Sequence, residues 1–229
     1  MEEAIGSQID DYLIKPVHPN QILLTLKKIV DNKRLVSEKT ATDYQQEFRN
    51  IATEINGGPD YSGWVDIYKK IISWELRLDD SNNQQMKEIL NMQKEEANKE
   101  FFKYVSKNYT EWIKKGNGPR TSQNLLRDKV FPLFANGKPT IMILMDNLRF
   151  DQWKIIEPVI TELYRIEEED FFYSILPTAT QYSRNSIFAG LMPLDIQKKF
   201  PDWWLNDNEE GGKNMKESDL LTEQIKRLV

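Results

Sequence analysis

Apolar residues recur along this chain with two different periods, and the changes of period divide it. Near the N-terminus Tyr12, Leu13 and Ile14 form a short run closed by Lys15-Pro16, which predicts a strand over 11–16. His18-Pro19 then opens a helix, proline being acceptable at the first helical position, and Ile22, Leu23, Leu26, Ile29 and Val30 keep a helical period. From 37 to 137 the spacing is helical throughout. Ala41, Tyr44, Phe48, Ile51 and Ile55 step by three and four residues until Gly57-Gly58-Pro59 stops the helix. A second helix follows Asp60 (Trp64, Ile67, Tyr68, Ile71, Ile72), and a long third runs over about 82–115 (Met86, Leu90, Ala97, Phe101, Trp112) to Gly116. A fourth starts at Thr121 with Leu125, Leu126, Val130 and Phe131. Four amphipathic helices bury their stripes by bundling, so the aromatic stripe reads as bundle core rather than a groove.

From 138 to 229 the pattern changes again. Residues 140–145 are an apolar run that stops at Asp146, as a buried parallel strand does. A helix over 148–164 follows, marked by Trp153, Ile156, Val159, Ile160 and Leu163, with Pro158 expected to interrupt it. The half-apolar run 171–176 predicts a second strand, closed by Pro177, and a last helix is expected from Ser218. The fold class is therefore α/β with a central all-α bundle: a β-α unit over 1–36, a four-helix region over 37–137, and the first part of an α/β sheet over 138–229.

This pattern puts chemistry-bearing side chains at element ends. Asp146 closes the first strand, and Thr178 and Thr180 stand where a helix begins after the second. Ligands of open α/β sheets gather beyond the carboxyl ends of the strands. A threonine at a helix start has a common use as an N-cap, worth about 1 kcal/mol. Its rarer use is as a nucleophile activated by a metal shared with Asp146, facing a helix N-terminus that favours phosphate. Spacing alone favours the cap. Arg184, one turn into that helix, suits a phosphoryl oxygen or a structural ion pair equally well, and Asn147 and Arg149 flank Asp146. The acidic turn 167–170 reads as a solvated loop rather than a cation site.

Composition narrows the choices. At 229 residues with a 39% hydrophobic share, the chain can bury real cores in one large or two small domains. A net charge of -5 argues against a broad electrostatic grip on nucleic acid. With no cysteine, disulfides, thiolate zinc sites and cysteine nucleophiles are excluded, and the single histidine, His18, is far in sequence from Asp146 and Thr180. The acidic N-terminus is unlike a leader, and no apolar run approaches the ~20 residues needed to span a bilayer. The expectation is a cytoplasmic protein without membrane insertion.

The stretches Met142-Ile-Leu-Met-Asp-Asn-Leu-Arg-Phe-Asp-Gln-Trp153 and Leu176-Pro-Thr-Ala-Thr-Gln-Tyr-Ser-Arg-Asn-Ser-Ile-Phe-Ala-Gly-Leu-Met-Pro193 resemble the start of a PglZ domain, a branch of the alkaline phosphatase superfamily. The resemblance implies that Asp146 is a zinc ligand and that Thr180, ten residues before Gly190, is both ligand and nucleophile. It further implies two zinc ions per complete site, with the remaining ligands outside this chain. Residues Asp10-Asp-Tyr-Leu-Ile-Lys-Pro16 and the helix after them resemble the last third of a response-regulator receiver domain, which makes Lys15 the phosphate-contacting lysine and Tyr12 the switch aromatic. A receiver end, a helical bundle and a PglZ domain, in that order, are similar to PorX-type two-component response regulators.

That family resemblance implies zinc-dependent hydrolysis of phosphodiesters in nucleotides or oligonucleotides, within phosphorelay control of type IX secretion. The partners it brings are a sensor histidine kinase, a sigma factor or secretion-system component, and a second copy of the chain. Both ends fall inside expected domains, so the sequence reads as part of a longer protein, and these residues alone are expected to be inactive. The alternative is a non-catalytic module that keeps the phosphatase fold for partner binding.

Overall fold

The computed structural model describes residues 13, 15, 17, 19–81, 83–134, 137, 139–206 and 208–227; of the strand expected over 11–16, residues 11, 12, 14 and 16 lie outside the described residues. The chain divides into two compact units, the first holding residues up to Lys107 together with Arg149–Ile155, the second Asn108–Leu148 with Ile156 onward.

Three long helices build the first unit. Helix α1 (Pro19–Asn56) starts at the expected proline, but it continues through to the glycine pair instead of ending near 36. Nothing between Asn20 and Asn56 breaks a helix: no proline or glycine interrupts it. Gly57 and Gly58 then end it, Gly58 taking φ 69°. Helix α2 (Tyr61–Ser81) is capped by Asp60, whose Oδ1 accepts the Gly63 N–H at 2.9 Å. Helix α3 (Gln84–Lys115) is capped by Asn83, whose side chain accepts the Met86 N–H at 3.1 Å. Their shared core includes Tyr44 and Ile51 of α1, Ile67, Trp74 and Leu78 of α2, and Leu90 of α3. One polar pair is buried inside it: the Tyr44 hydroxyl donates to Gln93 Oε1 at 3.1 Å, and Gln93 Nε2 donates to the Phe48 carbonyl at 2.9 Å. Burial pushes the Tyr44 phenol up, so it stays neutral and able to donate.

The expected fourth bundle helix is absent from that core. Residues 121–134 form a 3₁₀ turn (Ser122–Asn124), a π-helical turn (Leu126–Val130) and a short α4 (Phe131–Phe134), all in the second unit. Pro119 precedes the stretch and Pro132 falls inside it, which leaves little room for a regular helix. Leu126 packs instead with Ile187, Phe188, Ala189, Ile196, Trp204 and Leu220, the core of the second unit. That core is built by α6 (Thr180–Ala189), α7 (Pro193–Lys199) and α8 (Glu217–Lys226). Helix α5 (Phe150–Thr161) is shorter than expected and carries Pro158 inside its last turn rather than breaking there.

The two expected strands have no sheet around them among the described residues. Residues 140–145 are irregular, and Ile141 and Ile143 are 86% and 77% exposed. An apolar run becomes a strand only when neighbours take its backbone hydrogen bonds, and none of the described residues does so. From the second run a single parallel bridge survives, Thr121 with Tyr173, with the Tyr173 N–H donating to the Arg120 carbonyl at 2.9 Å.

The acidic turn is largely exposed, as expected of a solvated loop, but it is also ion-paired. Asp170 accepts from Arg120 Nη1 at 2.7 Å and from Lys129 Nζ at 2.8 Å, and Glu168 also pairs with Lys129. Lys129 above all, then the Phe171 N–H and Arg120, hold the Asp170 carboxyl down at about 2. A carboxylate lowered in the folded state stabilises above its unfolded pKa of about 3.9 and loses that contribution as pH falls through the folded value. We expect acid titration followed by circular dichroism to show a loss of stability between about pH 4 and pH 2, and Asp170→Asn to flatten that limb. An unchanged limb in the variant would remove Asp170 from the acid response.

Candidate functional site

Helix α6 is the element that places the candidate residues. Its N-cap is Ala179, which offers no side-chain cap, and Thr180 is the first helical residue. The commoner of the two uses for a threonine here, the cap, is therefore not the one it serves. Thr180 is exposed, while Gln181, Asn185, Ser186, Ile187, Phe188 and Ala189 turn inward. The loop leading into α6 is fixed by hydroxyls. Ser122 Oγ accepts the Ile175 N–H at 3.1 Å, Ser174 and Ser183 share a hydrogen bond of 2.8 Å, and the Tyr109 hydroxyl accepts the Leu176 N–H at 2.7 Å. Gly190 ends the helix in the left-handed region at φ 61°.

Arg184 lies four residues after Thr180, so the two share a face one turn apart. Its guanidinium is fully organised. Nε and Nη2 donate to the two oxygens of Glu217, each at 2.7 Å, a bidentate fork, and Nη1 donates to Asp146 Oδ2 at 3.0 Å. Glu217 opens α8, where its charge also meets the positive end of the helix, and it takes a further bond of 3.0 Å from Asn214 Nδ2. Hydrogen bonding to Glu217, reinforced by the charge of Asp146, raises the Arg184 pKa further and keeps it charged. The Arg184 and Glu217 side chains are 23% and 19% exposed against 64% for Asp146, so the pair forms a supported wall and Asp146 the open edge.

Three of the sequence-expected residues are thus brought together: Asp146 touches Arg184, and Thr180 stands one turn above it. Of the two uses open to Arg184, the ion pair is the one observed. Asn147, beside Asp146, adopts φ 58° and its N–H turns back to Asp146 Oδ1 at 3.1 Å. Arg149 pairs instead with Asp151, at 3.0 and 2.8 Å. Lys15 is exposed in a bend, and Tyr12 and His18 lie outside the described residues. The residue that sequence reasoning missed is Glu217. It lies 33 positions from Arg184, and its only sequence signal was an acidic residue beside an expected helix start.

As a zinc site the cluster is partial. Asp146 and Thr180 offer three side-chain oxygens, of which Asp146 Oδ2 already accepts from Arg184 and Oδ1 from the Asn147 N–H, and among the described residues no three His, Cys, Asp or Glu side chains converge on one point. Three or four protein ligands are the rule for zinc.

With this geometry in view, two family models match the chain. Residues 34–113 match the PorX response regulator linker domain, and residues 125–228 match the BREX system PglZ alkaline phosphatase-like domain. Asp146, Thr180, Arg184 and Glu217 all fall within the second match. The chain is thus similar, in order, to a response-regulator linker domain and to an alkaline phosphatase-like domain. The two matches together support a chain of PorX type. A comparison with curated proteins gives no match. Among the described residues no helix is long and apolar enough to cross a membrane.

Proposed function

We propose that this chain is part of a two-component response regulator whose PglZ domain is a zinc-dependent phosphodiesterase acting on nucleotides or oligonucleotides. In this reading the regulator is cytoplasmic, is phosphorylated by a sensor histidine kinase and serves type IX secretion. The residues up to 36 are a receiver end with Lys15 and Tyr12 as its switch, and 140–145 and 171–176, irregular here apart from one bridge, would pair as strands once the rest of a PglZ sheet takes their backbone hydrogen bonds. The observation that carries the reading is the meeting of Asp146 with Arg184 one helical turn from an exposed threonine at the start of α6.

Thr180 is the nucleophile, and a helix N-terminus beside it favours an anionic phosphoryl group. Three of the five N–H donors of Arg184 are engaged with Glu217 and Asp146, which leaves two for phosphoryl oxygens. Zinc, held by Asp146, Thr180 and ligands outside residues 1–229, would supply charge stabilisation and a lowered pKa for a bound hydroxyl.

The test is a zinc titration by calorimetry with a chromogenic phosphodiester assay, run on these 229 residues and on a protein carrying the whole PglZ domain. We expect weak zinc binding and no turnover from the former, and zinc-dependent turnover from the latter. Tight binding of two zinc ions with Thr180-dependent turnover by the 229 residues would show the ligands to be misassigned. A zinc-loaded whole domain inert toward phosphodiesters would favour the non-catalytic interaction module.

A further inference from the structure

The first unit carries a groove of about 500 Å³ between α2 and the start of α5 that the phosphodiesterase reading does not use. Its size suits a small ligand. Four of its lining residues are cations, Lys69, Lys70, Arg77 and Lys154, and none is a carboxylate, in a chain whose net charge is -5. Its aromatic lining comes from Trp74 and Phe150. Two of the cations are arranged on these rings. The Arg77 guanidinium lies 3.9 Å from the centroid of Trp74, and Lys154 Nζ lies 5.2 Å from that of Phe150. Trp74 is itself packed against Tyr44 of the core, ring centroids 5.3 Å apart. Arg77 pairs with Asp43 at 3.8 Å, and Lys70 with Glu54 and, at 3.9 Å, with Glu47.

A guanidinium plane stacked on an indole has a second face, and the Arg77 side chain is half exposed. That face is a platform for a planar base, since bases stack on arginine planes as they do on aromatic rings. Lysines at the same groove match the phosphate. We propose that the groove binds a mononucleotide, its base on the Trp74–Arg77 stack and its phosphate against Lys154, Lys69 and Lys70. The groove belongs to the first unit and Thr180 to the second, and the proposal does not rest on the phosphodiesterase reading.

Calorimetric titration of the 229-residue chain with AMP, ribose 5-phosphate and inorganic phosphate tests this. AMP is expected to bind about tenfold more tightly than ribose 5-phosphate, the margin that one stacked base supplies. Arg77→Lys, which keeps the charge and loses the plane, should erase that margin, whereas Lys154→Ala should weaken AMP and ribose 5-phosphate alike. Thr180→Ala should leave AMP binding unchanged, which separates this site from the one at α6. Equal affinity for AMP and ribose 5-phosphate, an unaltered margin in Arg77→Lys, or loss of AMP binding in Thr180→Ala would each overturn the proposal. So would a glutamate-rich peptide that binds as tightly as AMP, because the groove would then take acidic protein segments.

Discussion

Thr180→Ala is expected to abolish phosphodiester turnover in a protein carrying the whole PglZ domain while leaving the fold intact. The substitution removes a nucleophile and a ligand oxygen at once, and groups that act as a unit lose on the order of 10³-fold or more together. Stability should hardly move. Thr180 is exposed at the first position of α6, it caps nothing, and alanine is the better helix former. A change within about 0.5 kcal/mol is the norm for such surface sites. Steady-state kinetics with zinc present, beside urea unfolding of the same preparation, separate the two effects. Wild-type turnover in the variant would show that Thr180 is not the nucleophile.

Gly190→Ala should damage the same site through structure. At φ 61° an alanine pays the left-handed penalty of roughly 1–2 kcal/mol. Its β-carbon would also come within 2.7 Å of the Gln224 side-chain amide carbon. Gln224 is buried on α8, and its amide, turned so that nitrogen faces α6, donates to the Phe188 carbonyl at 2.8 Å. Moving it pushes α8 from α6, and with α8 goes Glu217, the residue that holds Arg184. We expect a loss of about 2–3 kcal/mol in urea unfolding, the strain plus the displaced amide. An unchanged midpoint would mean that α8 yields freely, and the support assigned to Glu217 would fail with it.

The helices were legible because their signals are local. Proline at 19, Asp60 and the glycine pair at 57–58 mark starts and stops within a few residues, and the structure follows them. The continuity of α1 past residue 36 was missed, since a likeness to a domain end suggested a boundary where no helix breaker stands. The fourth bundle helix was misjudged for the opposite reason. Its apolar spacing is helical, but Leu126 is claimed by α6 and α8, and period alone does not say which core a stripe faces. The strands at 140–145 and 171–176 depend wholly on neighbours, so an apolar run predicts them without supplying the partners.

The candidate site divides the same way. Asp146 and Thr180 were found because each ends or opens an element, a position that sequence marks. Arg184 was found by its helical spacing from Thr180, but its role was open until Glu217 and Asp146 were seen on its three nitrogens. The Arg184–Glu217 contact joins two helices across the second core, and no local pattern encodes it.

The central claim is that Asp146 and Thr180 are part of a zinc site. Crystals of the whole PglZ domain soaked in zinc, with anomalous scattering to locate the metal, test it most directly. Zinc is expected at about 2.0–2.2 Å from an Asp146 oxygen, the ordinary zinc–carboxylate distance, with Thr180 Oγ in the same coordination shell. Zinc bound elsewhere, with the Asp146 carboxylate still engaged only by Arg184, would contradict it.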